Sequence, residues 1–160
     1  MNKLINNWVL WFHDPSNPDW SLESYKNIHT MSTIEDFWDL FAILDNRKIQ
    51  EGMFFIMKEN IEPLWENEDN IDGGCWSYKI NKRDVYQAWL ELSIALCIEN
   101  ILKEDEEQNI INGISISPKK TFCILKVWNS DSTKAQTNTL SKKIPNLFVS
   151  QCIYKSHKSR

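Results

Sequence analysis

Apolar positions along this chain follow two rhythms, one of period two and one of period three to four. Trp8, Val9, Leu10, Trp11 and Phe12 form a short, nearly continuous apolar run, the pattern of a central strand. A weaker strand signal covers residues 25–29, and a stronger one the run Met-Phe-Phe-Ile-Met at 53–57. Residues 76–80 form a further apolar segment, predicted to pair with 53–57 as a hairpin across the loop between them. Ile114-Ser115-Ile116-Ser117 alternates cleanly, Pro118-Lys119-Lys120-Thr121 turns, and residues 122–128 return as a strand. Residues 147–154 read as a last strand, followed by a basic tail over 155–160.

The longer rhythm marks helices. Ser32-Thr33-Ile34-Glu35 reads as a capping box with Ser32 as N-cap. Behind it Ile34, Phe37, Trp38, Phe41 and Leu44 recur at helical spacing, up to an end near Asp45-Asn46. Asn81 caps the longest predicted helix, over 82–102. That helix has two apolar stripes. One is Val85, Ala88, Trp89, Leu92 and Leu96; the other is Leu90, Ile94, Cys97 and Ile101. A surface helix needs one such stripe. Either a neighbouring helix buries the second, or Leu90 and Ile94 belong to a partner site shared with Ile34 and Trp38. Residues 103–108 are a solvated charge run, and the polar, Thr-rich stretch 132–144 reads as a weak helix. Strands linked by hairpins and interspersed with two or three helices predict an α+β fold, an antiparallel sheet with helices on one face. There are no repeats and no linkers, so residues 1–160 are expected to form a single domain.

Composition narrows the chemistry. With a net charge of −4, any contact to nucleic acid must be local and base-directed, not a broad basic face. The four cysteines include no Cys-x-x-Cys pair and the three histidines are dispersed, which argues for free thiols in a reducing compartment and against a metal site. No apolar run approaches the length of a membrane span and the N-terminus lacks a signal-peptide pattern, so a cytoplasmic protein is expected. No phosphate-binding glycine loop, nucleophile elbow or His-x-x-x-His appears. Glu66 with Asp69 or Asp72 is the one pair that could be drawn as a general acid and base, and acidic loops are far more often solvated. The anomaly is eight tryptophans in 160 residues.

Two of them sit on polar loops. Trp20 ends the turn-rich segment His13-Asp14-Pro15-Ser16-Asn17-Pro18-Asp19. Trp65 follows Pro63 and is surrounded by Glu62, Glu66, Glu68, Asp69 and Asp72, before Gly73-Gly74 returns the chain to a strand. Either these rings fold back and pack, or they offer their faces to a flat cation with Glu66 alongside.

Taken together these segments resemble the eukaryotic translation initiation factor 4E family, the messenger-RNA cap-binding proteins. The resemblance runs from Trp8 to His157. It rests on Trp-Val-Leu-Trp-Phe at 8–12, Thr-Ile-Glu-Asp-Phe-Trp at 33–38, Ile-Glu-Pro-Leu-Trp-Glu at 61–66 and Gly-Gly-x-Trp at 73–76. Trp-Leu-Glu at 89–91, Val-Trp at 127–128 and Tyr-x-Ser-His at 154–157 complete it. All eight tryptophans fall where the family has one. The resemblance implies a curved antiparallel sheet with about three helices on its convex face and the cap on the concave face. It implies that Trp20 and Trp65 sandwich 7-methylguanine and that Glu66 accepts two hydrogen bonds from the Watson–Crick edge. The Trp65 amide would serve the exocyclic oxygen, and Trp128 would pack on the methyl group. It further implies a helical scaffold of the initiation factor 4G type docked on Ile34, Trp38, Leu90, Glu91 and Ile94, with no cofactor, no catalytic residue, no metal and a monomeric chain.

The chain also departs from the family pattern. Cys75 stands where the family has an arginine beside the Gly-Gly-x-Trp tryptophan, which leaves the triphosphate to Lys126 and Lys119, with Lys120 as substitute. Asn2-Lys3-Leu4 replaces His-Pro-Leu at the partner end, and the family's loop beyond Tyr-x-Ser-His is expected to be largely missing. The leading function is cap binding with scaffold recruitment. A cap-binding repressor or decoy is the alternative, and an enzyme acting on the cap is third.

Overall fold

The computed structural model describes residues 2–159; Met1 and Arg160, the last residue of the predicted basic tail, lie outside the described residues. Seven strands form one curved antiparallel sheet: β1 (Lys3–His13), β2 (Tyr25–Thr33), β3 (Met53–Lys58), β4 (Gly74–Asn81), β5 (Ile111–Pro118), β6 (Phe122–Asn129) and β7 (Ile153–Ser156). Their spatial order is β2-β1-β3-β5-β6-β4-β7. Three helices, α1 (Ile34–Ile43), α2 (Asn46–Glu51) and α3 (Lys82–Cys97), cover the convex face.

Alternation along the strands creates two unequal apolar layers. Trp8 and Leu10 of β1, Phe54 and Ile56 of β3, Ile114 and Ile116 of β5, and Trp76 and Tyr78 of β4 point under the helices into the main core. Their strand neighbours point the other way. Phe55, Met57, Cys75 and Trp128 form a smaller cluster on the concave face, with Trp11, Tyr25, Met53 and Trp65 packed against it.

Several elements differ from expectation for identifiable reasons. The predicted hairpin between 53–57 and 76–80 does not form, because β3 lies between β1 and β5 while β4 lies between β6 and β7. The stretch joining β3 to β4 is a structured loop that spans the site, not a tight turn. The capping box of α1 is shifted by one residue. Thr33 is the N-cap, its side chain accepts from the Asp36 amide, and Asp36 accepts in return from the amides of Thr33 and Ser32. An aspartate at this position does the work assigned to Glu35.

The long helix stops at Cys97, not 102. Glu99 adopts a left-handed φ of 56°, its amide bonds Leu96 O (3.1 Å) and the Asn100 amide bonds Ala95 O (2.8 Å), a Schellman-type end. A glutamate, not the usual glycine, occupies the left-handed position, so the stop signal is invisible in the sequence. The stretch 132–144 is not a helix apart from a single 3-10 turn at Thr137–Thr139. Its Thr and Ser side chains satisfy nearby backbone instead: Thr139 Oγ1 donates to Gln136 O (2.7 Å) and Ser141 Oγ accepts from the Lys143 amide (3.1 Å). The third helix is α2, capped by Asp45. The last strand starts at Ile153, after a left-handed Asn146 and a 3-10 turn at Val149–Gln151.

The eight tryptophans divide by face. Trp8, Trp76 and Trp89 are fully buried in the main core, whereas Trp11, Trp65 and Trp128 belong to the concave layer. Trp20 is 48% exposed and Trp38 50% exposed. The four cysteines form no disulfide among the described residues.

Candidate functional site

The concave face holds an open cleft of about 270 Å³, lined by Trp20, Tyr25, Met53, Phe55, Pro63, Leu64, Trp65, Glu66, Ser115, Ser117, Lys126 and Trp128. Its floor is the concave cluster. Trp128 donates its indole N–H to Ser115 Oγ (3.0 Å) and meets Phe55 edge-on. The walls are the two tryptophan loops.

The Trp20 loop is made of short turns in tandem. Asp14 Oδ1 accepts from Ser16, Asn17 Oδ1 from the Asp19 amide, and Asp19 Oδ1 from the Ser21 amide, each near 3 Å. These bonds hold the Asp14 and Asp19 carboxyls below the usual carboxylate range, although both are exposed. Two ring contacts reach inward: the buried His13 ring bonds Asp19 O through Nε2 (2.7 Å) and lies flat beneath the Trp20 indole, centroids 4.0 Å apart and planes 6° apart, and the Tyr25 ring tilts against the indole at 6.3 Å.

The Trp65 loop is held from within. Fully buried Asn70 donates to Glu62 O (3.1 Å) and Leu64 O (2.9 Å), and Asn112 at the start of β5 donates to Asp69 O (2.8 Å) and to Asn70 Oδ1 (2.9 Å). Lys158 pairs with Asp72 at the end of the loop. The chain then squeezes between strands at Gly73, where an added Cβ would stand 1.8 Å from Asn129 O, so only glycine fits. The Trp65 indole leans on His157.

Glu66 stands at the rim of the cleft opposite Tyr25. Burial first, and the Glu66 carboxylate second, push the Tyr25 hydroxyl up to about 12. Among the described residues there is no cluster of metal-ligating side chains. Asp72 of the acidic loop is taken by Lys158, and among the described residues no second carboxylate lines the cleft beside Glu66.

Of the residues expected for a cap, Trp20, Trp65, Glu66, Trp128 and Lys126 therefore meet in one cleft. Lys119 and Lys120 do not line it. They sit at the β5–β6 turn, about 13 Å along the strand from Lys126. Cys75 is buried in the concave cluster beside Trp128, and Lys155 of β7 stands across from it on the same face. His13, Tyr25, Phe55, Asn70, Asn112 and Lys155 escape sequence reading. Their roles depend on cross-strand neighbours, and no local pattern signals those.

On the opposite side of the sheet an apolar groove is lined by Leu4, Ile34, Phe37, Trp38, Ile94, Cys97 and Ile98. Ile34, Trp38 and Ile94 thus converge as expected. Leu90 packs partly buried against the core outside the groove lining, and Glu91 accepts from Gln87 (2.8 Å) on the same helix. Of the rest of the predicted second stripe, Cys97 is buried at the groove's base and Ile101 is buried beyond the end of α3. Leu4 forms one wall even though the residues before it depart from the family pattern.

An aromatic cleft with one carboxylate on its rim, backed by a curved seven-stranded sheet, defines a binder of a single flat, electron-poor ring. The sequence model described as Eukaryotic initiation factor 4E matches residues 3–160, and the chain belongs to that family. It is similar to eukaryotic translation initiation factor 4E of Candida albicans (26% identity, 88% of this chain and 70% of the relative) and of Aplysia californica (31%, 83% and 63%). It spans 56% of the 4E-3 protein of Caenorhabditis elegans, so it matches only part of the length of some relatives. Among solved structures it is similar to Ascaris suum eIF4E-3 in complex with the m7G cap (25% identity, TM-score 0.72, 83% of this chain and 76% of that one). It is also similar to schistosome eIF4E complexed with m7GpppG and 4E-BP (29%, 0.74, 83% and 74%). The complex of C. elegans eIF4E-3 with the 4E-binding protein Mextli shares the fold over 99% of this chain and 94% of that one, at 22% identity and a TM-score of 0.78.

Proposed function

We propose that this protein binds the 7-methylguanosine 5′ cap of messenger RNA in the concave cleft and recruits a translation-initiation scaffold through the groove on its helical face. It thereby promotes translation initiation. The observation that carries the reading is the convergence of Trp20, Trp65 and Glu66 on one cleft over a Trp128 floor. Methylation at N7 makes guanine cationic. Stacking is worth about 1–3 kcal/mol per base, and a desolvated cation on an indole about 2 kcal/mol or more. Glu66 accepts from the guanine N1 and N2 donors, a charge-assisted pair of bonds that adenine cannot supply. Trp128 closes the floor against the methyl group, and the Trp65 amide serves the exocyclic oxygen.

The phosphates run toward the lysines. Lys126 is the nearest cation to the base, Lys155 stands beside the Cys75 position that lacks the family arginine, and Lys119 and Lys120 serve the outer end. Support also comes from the cap and 4E-binding-protein complexes of the structural relatives. In this reading Ile34, Trp38 and Ile94 receive the amphipathic helix of a 4G-type scaffold, with Leu90 and Glu91 at its edge. The chain works as a single, monomeric, cytoplasmic binding domain over 1–160, with no catalytic step. No helix among the described residues is long and apolar enough to cross a membrane.

Retention on a 7-methyl-GTP resin tests the reading. Elution by free 7-methyl-GTP and not by GTP is the expected result. Equal elution by both would show that the charge added by the methyl group contributes nothing to binding.

A further inference from the structure

We propose that His13 is the positioning residue for Trp20 and makes occupancy of the cleft pH-dependent; this rests on Trp20 being a wall of the cap slot. His13 ends β1 and is fully buried, between Tyr25 of β2 and Met53 of β3. Its Nε2 lies 2.7 Å from Asp19 O, an acceptor, so Nε2 carries the proton of the neutral ring. Nδ1 is buried and has no hydrogen-bond partner among the described residues. The ring is therefore tied to the backbone immediately before Trp20 while its face supports the indole at 4.0 Å. With the rest of the loop made of exposed turns, this is its main inward anchor.

The stacked geometry has an electrostatic consequence. A cationic base on the outer face of Trp20 and a protonated His13 on the inner face would share one indole and repel each other across it. The charged groups around His13 are few. Asp14 and Asp19 on its own loop are exposed and solvated. From the packed strands come the Tyr25 ring (4.7 Å), whose hydroxyl stays neutral, and the uncharged Met53. Glu66 lies beyond Tyr25 and is itself committed to the base.

The test measures 7-methyl-GTP affinity of the full chain from pH 8 to pH 5.5, across the range in which histidines titrate. Wild type is compared with His13→Phe and His13→Ala. Every other pH-dependent step is common to all three and cancels in the ratios. At pH 8 His13→Phe, which keeps a flat ring under the indole but loses the bond to Asp19 O, should bind less tightly than wild type, and His13→Ala, which loses both, roughly tenfold more weakly than wild type. As pH falls from 8 to 5.5 wild type should lose more affinity than His13→Phe. A flat ratio of wild type to His13→Phe, or wild-type affinity in His13→Ala, overturns the proposal. Should His13→Ala fail to fold, the pH-dependent ratio of wild type to His13→Phe decides alone. A ligand-free readout separates this inference from the cap-binding reading. The Trp20 part of the emission, wild type minus Trp20→Phe, should be quenched as pH falls in wild type and not in the His13→Phe background. Wild type that binds no 7-methyl-GTP at any pH sinks the cap reading, and the emission then decides whether His13 governs Trp20. Emission that ignores pH overturns the proposal.

Discussion

The two loops that wall the cleft each present one tryptophan, and they are built in opposite ways. The Trp65 loop is organised around a side chain it swallows: Asn70 holds two of its carbonyls from inside, and Asn112 of β5 locks Asn70 in place. The Trp20 loop swallows nothing. It is a string of exposed turns that leans on His13. One wall is welded to the sheet and the other rests against it. A stacking site needs a fixed face to orient the base and can tolerate an adjustable one to close over it. On the proposed function those parts fall to Trp65 and Trp20.

Four experiments test this contrast, in falling order of effect. Trp20→Ala and Trp65→Ala should each weaken 7-methyl-GTP binding by about 2–4 kcal/mol, read by calorimetry, with melting temperatures held close to wild type. A variant of wild-type affinity would show that its ring is no wall. Asn70→Ala should then separate the loops. It strips one partner from two part-buried backbone carbonyls and one of two acceptors from Asn112, at about 1–3 kcal/mol in all. A fall in melting temperature of several degrees is expected together with lost binding.

Glu66→Gln is smaller, about 2 kcal/mol in the preference for guanine, because a neutral amide cannot accept both hydrogen bonds. The same variant carries a pH signature. The Tyr25 pKa in the fold, about 12, lies above that of the unfolded chain. Its contribution to stability is therefore full below pH ~10 and lost as pH rises toward 12. Removing the Glu66 charge takes away the lesser cause, so the Tyr25 titration, followed by its ultraviolet difference spectrum, should move down without reaching the ordinary value. Smallest of all, Asp14→Ala removes two exposed turn bonds, both to Ser16, and should cost under about 0.5 kcal/mol of stability. A larger loss would mean that the Trp20 loop is as firmly built as its counterpart.

Much of the site is legible in the amino-acid sequence. Trp20 and Trp65 stand out because a large apolar ring amid Pro, Asn, Asp and Glu has no core to explain it within its own segment. Glu66 is next to one of them, and Trp128 shares a strand face with Lys126 by simple alternation. The Ile34–Trp38 spacing marks the outer face of α1 in the same way. Here the relevant neighbours are close in sequence, and periodicity reports them. Legibility ends where a residue acts through a distant partner. Lys119 and Lys120 have the right charge and the wrong end of the hairpin. Leu90 and Ile94 share a stripe on α3 and both pack partly buried against the core, but only Ile94 also lines the groove.

The chain's local chemistry by itself determined the antiparallel strands, the two main helices and the presence of two aromatic loops, since strand alternation, helical spacing and turn residues act over a few positions. The order β3-β5-β6-β4 is another matter. It depends on which apolar faces find one another across the whole sheet, and it replaced an expected hairpin with the structured loop that bears Trp65. The end of α3 depends on Glu99 accepting a left-handed backbone where glycine would have announced the stop. In sequence Asn70 resembles any other solvated residue of an acidic loop, and His13 a turn residue. Only the folded chain buries them, Asn70 against Asn112 from 42 residues away and His13 under the ring of Trp20, because burial is set by the partners that tertiary structure supplies.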